Sequence, residues 1–131
     1  MPKKILLVED ESALQKSLGD TLREDGFEVI SALDGETGER LAKSEKPDLI
    51  ILDLILPQKD GLEVFKSLKN DETTKNIPVV VLTNLERIEH VEKALEMGAK
   101  TYLIKANYTL KEILEKIKNV MEDDPKAEDK G

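Results

Sequence analysis

Pro47-Asp48-Leu49-Ile50-Ile51-Leu52-Asp53 places an unbroken aliphatic run directly before a carboxylate. Leu49-Ile50-Ile51-Leu52 has no polar alternation, as a parallel strand buried on both faces requires. The same grammar recurs on either side. Ile5-Leu6-Leu7-Val8 leads into Glu9-Asp10, Val79-Val80-Val81-Leu82 into Thr83-Asn84, and the shorter Tyr102-Leu103-Ile104 into Lys105. Phe27-Glu28-Val29-Ile30-Ser31-Ala32 is more mixed and suits an edge strand.

Amphipathic segments fill the gaps. Leu14, Leu18 and Leu22 repeat at helical spacing, and Ser12 with Gln15 reads as a capping-box start. Residues 34–43 form the weakest pattern, because Gly35 and Gly38 dilute it. Leu62, Phe65 and Leu68 follow Asp60-Gly61, with Asp60 and Glu63 again at capping-box spacing. Ile88, Val91 and Leu95 run to Gly98, a helix-terminating residue. Thr109 with Glu112 opens the stripe Leu110, Ile113, Leu114, Ile117, Val120, Met121. Strand and helix alternate five times, which predicts an α/β domain with helices on both faces of a parallel sheet.

Composition narrows the function. The chain has 131 residues, enough for one domain. Aromatics are only 3%, so the core is aliphatic, and the absence of cysteine excludes disulfides, thiolate metal sites and a Cys nucleophile. A net charge of −8 argues against nucleic-acid binding through the general surface. No apolar run approaches the roughly 20 residues of a membrane span, and no signal peptide is visible. We therefore expect a cytoplasmic domain over residues 1–122, and an acidic, disordered tail over residues 123–131.

In open parallel sheets, ligands bind beyond the carboxyl ends of the strands. There this chain places Glu9, Asp10, Asp53, Thr83 and Lys105. Singly, each has an ordinary reading as a helix-start acid, strand-end cap, strand residue or solvated lysine. Four separate strand ends ending in such groups favour a shared site. Clustered carboxylates repel one another, and hard oxygen ligands suit Mg2+. A carboxylate between a divalent cation and an ammonium can attack phosphorus, because both neutralise phosphoryl charge. The Thr83 hydroxyl can then donate to a phosphoryl oxygen.

These residues resemble the receiver domain of two-component response regulators, the family of the chemotaxis response regulator. The resemblance spans residues 3–121 and is strongest from Pro47 to Gly61, with Pro57 four and Gly61 eight residues after Asp53. It implies a flavodoxin-like doubly wound sheet of order 2-1-3-4-5 with five helices. It also implies that Asp53 accepts a phosphoryl group from the phosphohistidine of a sensor histidine kinase or phosphotransfer protein. Glu9, Asp10, Asp53 and the Ile55 backbone carbonyl would hold Mg2+. Thr83 and Tyr102 would be the switch pair, and Lys105 would bind the phosphoryl group. A downstream protein would read the helix over residues 86–97, the strand over 101–105 and the helix over 109–121. The domain would act as a monomer or weak dimer.

Three positions depart from the commonest family pattern. Glu9 stands where Asp is frequent, Asn84 where a small residue is commoner, and Ala106 where proline usually follows the lysine in a cis peptide. A cis bond before alanine costs about 2.5–4 kcal/mol, so a strained peptide or a different loop is expected at Lys105-Ala106. Ile55 and Leu85, flanking the path of hydrolytic water in receivers, are both apolar, which predicts slow autodephosphorylation.

The reading is a stand-alone signalling receiver with output by protein contact, which catalyses only its own phosphorylation and slow dephosphorylation. The alternative is a degenerate receiver acting as a constitutive interaction module, against which the retained Glu9, Asp10, Asp53 and Lys105 speak. An Asp-nucleophile phosphohydrolase would carry a second acid where Ile55 stands. A flavin carrier would need a hydroxyl- and glycine-rich phosphate loop that does not follow the first strand.

Overall fold

The computed structural model describes residues 2–57, 59–84 and 88–122, and among these five strands alternate with five α-helices. The strands are β1 (Lys4–Val8), β2 (Glu28–Ala32), β3 (Leu49–Leu52), β4 (Val79–Thr83) and β5 (Thr101–Ile104). The helices are α1 (Ser12–Glu24), α2 (Gly35–Glu45), α3 (Gly61–Asn70), α4 (Ile88–Glu96) and α5 (Leu110–Glu122). All neighbouring strands pair in parallel, in the order β2-β1-β3-β4-β5. The mixed segment after Phe27 is indeed at an edge.

The aliphatic runs are explained by the two layers they feed. Leu6, Val8, Ile50, Leu52 and Val81 point to one face, where Ala42, Val64, Phe65, Leu68, Val91 and Ala94 of α2, α3 and α4 cover them. Ile5, Leu7, Leu49, Ile51, Val80 and Leu82 point to the other, under Leu18 and Leu22 of α1 and Ile113, Leu114 and Ile117 of α5. Every residue of β3 and β4 is buried, so alternation has no solvent face to record.

Helix ends follow local chemistry, with one correction. Thr109 and Glu112 close a reciprocal box: the Thr109 amide donates to Glu112 Oε1 at 2.9 Å, and the Glu112 amide to Thr109 Oγ1 at 3.1 Å. Asp60 caps α3 by accepting from the Leu62 amide at 2.9 Å. Gly98, at φ +109°, ends α4 as expected, with the Ala99 amide reaching back to the Ala94 carbonyl. The Ser12–Gln15 box does not form. Glu11 occupies the cap position, Ser12 is already helical, and the Gln15 side chain turns inward to backbone carbonyls.

The weak segment at residues 34–43 is a full helix, Gly35–Glu45, capped by Asp34, whose carboxylate accepts from the Thr37 amide at 2.8 Å. Its glycines mark close approach. A Cβ on Gly38 would lie 2.8 Å from a Val8 methyl, and one on Gly35 would lie 2.7 Å from a Val64 methyl. The helix expected over residues 86–97 is described only as Ile88–Glu96; residues 85–87, and with them Leu85, lie outside the described residues. So do residues 123–131, where the tail was expected.

Lys105-Ala106 adopts the second of the two arrangements anticipated for it. Among the described residues no peptide bond is cis, and Lys105–Asn107 forms a short 3-10 turn between β5 and α5.

Candidate functional site

Strand order reverses between β1 and β3, since β1 is followed outward by β2 and β3 by β4. A crevice opens at such a point beyond the carboxyl ends of the strands. Glu9 follows β1 directly and Asp53 follows β3, and the sheet joins them: the Asp53 amide donates to the Val8 carbonyl at 3.0 Å. Glu9, Asp10 and Asp53 each bring a carboxylate oxygen to within 4.8 Å of the others. Glu9 and Asp53 are buried, and Asp10 is exposed at the mouth.

Lys105 spans the cluster from the other side. Its ammonium lies 2.8 Å from Asp53 Oδ2 and 2.8 Å from Glu9 Oε1. The Asp53 contact is a directed hydrogen bond. The Glu9 contact is an ion pair without that alignment, since Glu9 Oε1 has no hydrogen-bond partner among the described residues. The turn after β5 thus delivers the lysine although residue 106 is Ala.

The remaining carboxylate oxygens are held by the backbone. Asp53 Oδ1 accepts from the Ile55 amide at 3.0 Å, and Glu9 Oε2 from the Glu11 amide at 3.0 Å. Gly61 closes the loop beneath Asp53, its amide donating to the Leu54 carbonyl at 3.1 Å. A Cβ at position 61 would collide with the Asp53 carbonyl and sit 2.5 Å from Leu54 Cα, so only glycine permits this approach.

The electrostatics follow from burial. Desolvation pushes the Glu9 carboxyl up to about 7, against the pull of Lys105 and the Glu11 amide; the nearby Asp53 charge pushes the same way as burial. For Lys105 burial acts downward, but its hydrogen bond to Asp53 and its ion pair with Glu9 prevail and raise it. The site is a set of acids that resist sharing one place, with an internal cation holding them there.

Thr83 ends β4 fully buried, and among the described residues its hydroxyl has no hydrogen-bond partner. Tyr102 on β5 points outward and is 38% exposed. Asn84 and Ala106 line a groove of about 450 Å³ with Glu11, Lys105 and Tyr108. Asn84 therefore forms part of a wall shared with Lys105.

Residues 5–118 match the family described as response regulator receiver domain. The chain belongs to the response regulator receiver domain family. The receiver is 36% identical over 106 residues to the transcriptional regulatory protein PdtaR of Mycobacterium tuberculosis, a match covering 80% of this chain and 50% of that protein. It thus spans about half the length of the curated relatives it matches. Among solved structures, it resembles a CheY-like response regulator receiver domain protein from Methanospirillum hungatei JF-1, with a TM-score of 0.87, 26% identity and full coverage of both chains. It also resembles the receiver domain of a sensor histidine kinase from Pseudomonas aeruginosa PAO1, with a TM-score of 0.82, 27% identity, and 92% and 98% of the two chains covered. In that protein a magnesium ion is coordinated in the active-site cleft.

The receiver is a two-component signalling domain, with the expected flavodoxin-like sheet order 2-1-3-4-5. Its carboxylate cluster could hold a metal ion, and an all-oxygen donor set suits a hard divalent cation. Sequence reasoning had not found the Glu9–Lys105 contact or the inward turn of Gln15. The second left a trace: Gln15 shares the buried stripe of α1 with Leu18, Gly19 and Leu22, and a polar residue inside an apolar stripe needs an internal partner.

Proposed function

We propose that Asp53 is the phosphoacceptor of this receiver and that the donor is a phosphohistidine on a sensor kinase or phosphotransfer protein. The observation that carries the reading is the Asp53 carboxylate set 2.8 Å from the Lys105 ammonium and clustered with Glu9 and Asp10. An Asp53 oxygen attacks phosphorus as the P–N bond breaks. The ring nitrogen keeps the bonding electrons and takes a proton from solvent, leaving an acyl phosphate on Asp53. Lys105 holds the nucleophile in place and offers its charge to the phosphoryl oxygens. Glu9, Asp10, Asp53 and the Ile55 carbonyl would hold a Mg2+, which would supply further neutralisation of charge on the transferring group.

Ile55 stands where a general acid would be needed for turnover, so the chemistry is self-modification. Thr83 supports the switch reading, because a buried hydroxyl without a partner among the described residues is available to a new acceptor beside it. Tyr102 then turns inward from its exposed position. The signal passes to a protein partner in the cytoplasm through α4, β5 and α5.

Intact mass after incubation with acetyl phosphate tests this, with and without Mg2+ and beside Asp53→Asn. We expect a Mg2+-dependent gain of one phosphoryl group, absent in the variant. No gain while Mg2+ binds would leave a constitutive interaction module. Chasing the label tests the hydrolysis reading: with Ile55 and Leu85 both apolar it should persist for minutes or longer, and decay within seconds would refute that part.

A further inference from the structure

We propose that Gln15 is a positioning residue for the metal site, acting through the backbone of Glu9. This rests on the reading above that Glu9 is a metal ligand. Gln15 is 7% exposed, and its amide nitrogen lies 3.1 Å from the Leu7 carbonyl, 3.2 Å from the Glu9 carbonyl and 3.1 Å from the Ala32 carbonyl. An amide has two hydrogens, so the nitrogen shares them among three acceptors.

The location of those acceptors gives the residue its role. The last ladder bond of β1 runs from the Glu9 amide to the Ala32 carbonyl at 3.0 Å. Beyond it the chain leaves the sheet, and the Glu9 carbonyl loses its strand partner. Gln15, one turn into α1, supplies the missing donor. It also ties that carbonyl to the ends of both β1 and β2. Only Asp10 and Glu11 separate Glu9 from α1, so fixing the Glu9 peptide also fixes where Asp10 departs. The Glu9 carboxylate is steadied separately by the Glu11 amide. Two ligands of one ion thus inherit their geometry from one buried amide. Partners that bond a ligating group directly typically change metal affinity by roughly 10–100-fold when removed, and Gln15, acting through the ligand's backbone, belongs at the low end of that range.

The competing account is that Gln15 only stabilises the fold, in which case folded protein binds metal normally without it. Gln15→Met keeps the length and removes the donors. Thr74→Val is the control: the Thr74 hydroxyl makes a buried bond of 2.7 Å to the Leu68 carbonyl, in the connection leading into the start of β4 and away from the carboxylates. Calorimetric Mg2+ titration of the full chain should show a Kd roughly tenfold weaker for Gln15→Met. It should be unchanged for Thr74→Val, even though both lower Tm. Acetyl phosphate labelling of Gln15→Met should be slow at sub-saturating Mg2+ and recover at saturation. Gln15→Asn, which keeps the amide but retracts it by one methylene, should fall between and serves if the Met variant does not fold. A wild-type Kd in a folded Gln15 variant overturns the proposal. Failure of the wild type itself to bind Mg2+ overturns the metal-site reading, and the proposal with it.

Discussion

Lys105 Nζ and Glu9 Oε1 lie 2.8 Å apart, so the lysine that meets Asp53 also occupies the neighbouring acid. The ammonium is the resident counter-ion of the cluster, and an incoming divalent cation competes with it for Glu9.

Lys105→Met should therefore have two opposed effects. The metal-free protein loses stability, since two buried carboxylates lose their partner. Mg2+ should bind several-fold more tightly, because the competing charge is gone. Thermal unfolding in EDTA and across a Mg2+ titration reads both. Weaker Mg2+ binding in the variant would show that Lys105 organises the ligands instead of competing with the ion.

Glu9 sets a pH window. Its folded carboxyl stands at about 7 against an ordinary 4.5. A carboxyl raised on folding contributes stability that is complete below about 4.5 and is lost as pH climbs through about 7. Metal-free wild type should lose stability over that interval relative to Glu9→Gln, a comparison that cancels the other carboxylates. Mg2+ selects the ionised form, so its stabilising effect should grow over the same interval and level off above it. Urea midpoints at several pH values, with EDTA or Mg2+, give the two curves. Parallel curves for wild type and Glu9→Gln would remove Glu9 as the titrating group.

Thr83→Val should leave the unphosphorylated domain as stable as wild type or more stable, by about 1 kcal/mol. The Thr83 hydroxyl is buried without a partner among the described residues, and valine matches its shape. Labelling at Asp53 should persist while the response to it is lost, read as near-identical hydrogen exchange of labelled and unlabelled variant over β5 and α5. Destabilisation well beyond 1 kcal/mol would mean the hydroxyl is already satisfied.

Gly61→Ala should cost about 1–3 kcal/mol, the range for forcing one methyl into packed surroundings. The atoms it meets are backbone of Asp53 and Leu54, which cannot swing aside. Because relief must move the Asp53 backbone, labelling by acetyl phosphate should fall more than stability does if Asp53 accepts the phosphoryl group. Urea denaturation and the labelling rate, measured together, check this.

The strands and the acids after them were legible because both are local: a buried parallel strand must be aliphatic throughout, and whatever follows it lies at the rim. Lys105 was legible for the same reason, although its double contact with Asp53 and Glu9 depends on how far β1 and β3 stand from the final turn. The glycines of α2 were harder to read. They weaken a helical pattern in isolation, yet Gly38 exists to admit Val8 and Gly35 to admit Val64. Gln15 was misread because its capping-box spacing is a local signal, while its actual partners come from β1 and β2 and exist only once those strands pair.

The bond from the Asp53 amide to the Val8 carbonyl joins parts of the chain separated by the whole of α1, β2 and α2. Closing so long a loop carries an entropic cost that only later contacts recover. The Asp53 carboxylate therefore acquires its neighbours late, and Lys105 later still. A ribosome-bound fragment ending before β5 would carry Asp53 without the ammonium that steadies it. During synthesis, competence to receive a signal should appear abruptly, near the moment the fold is complete.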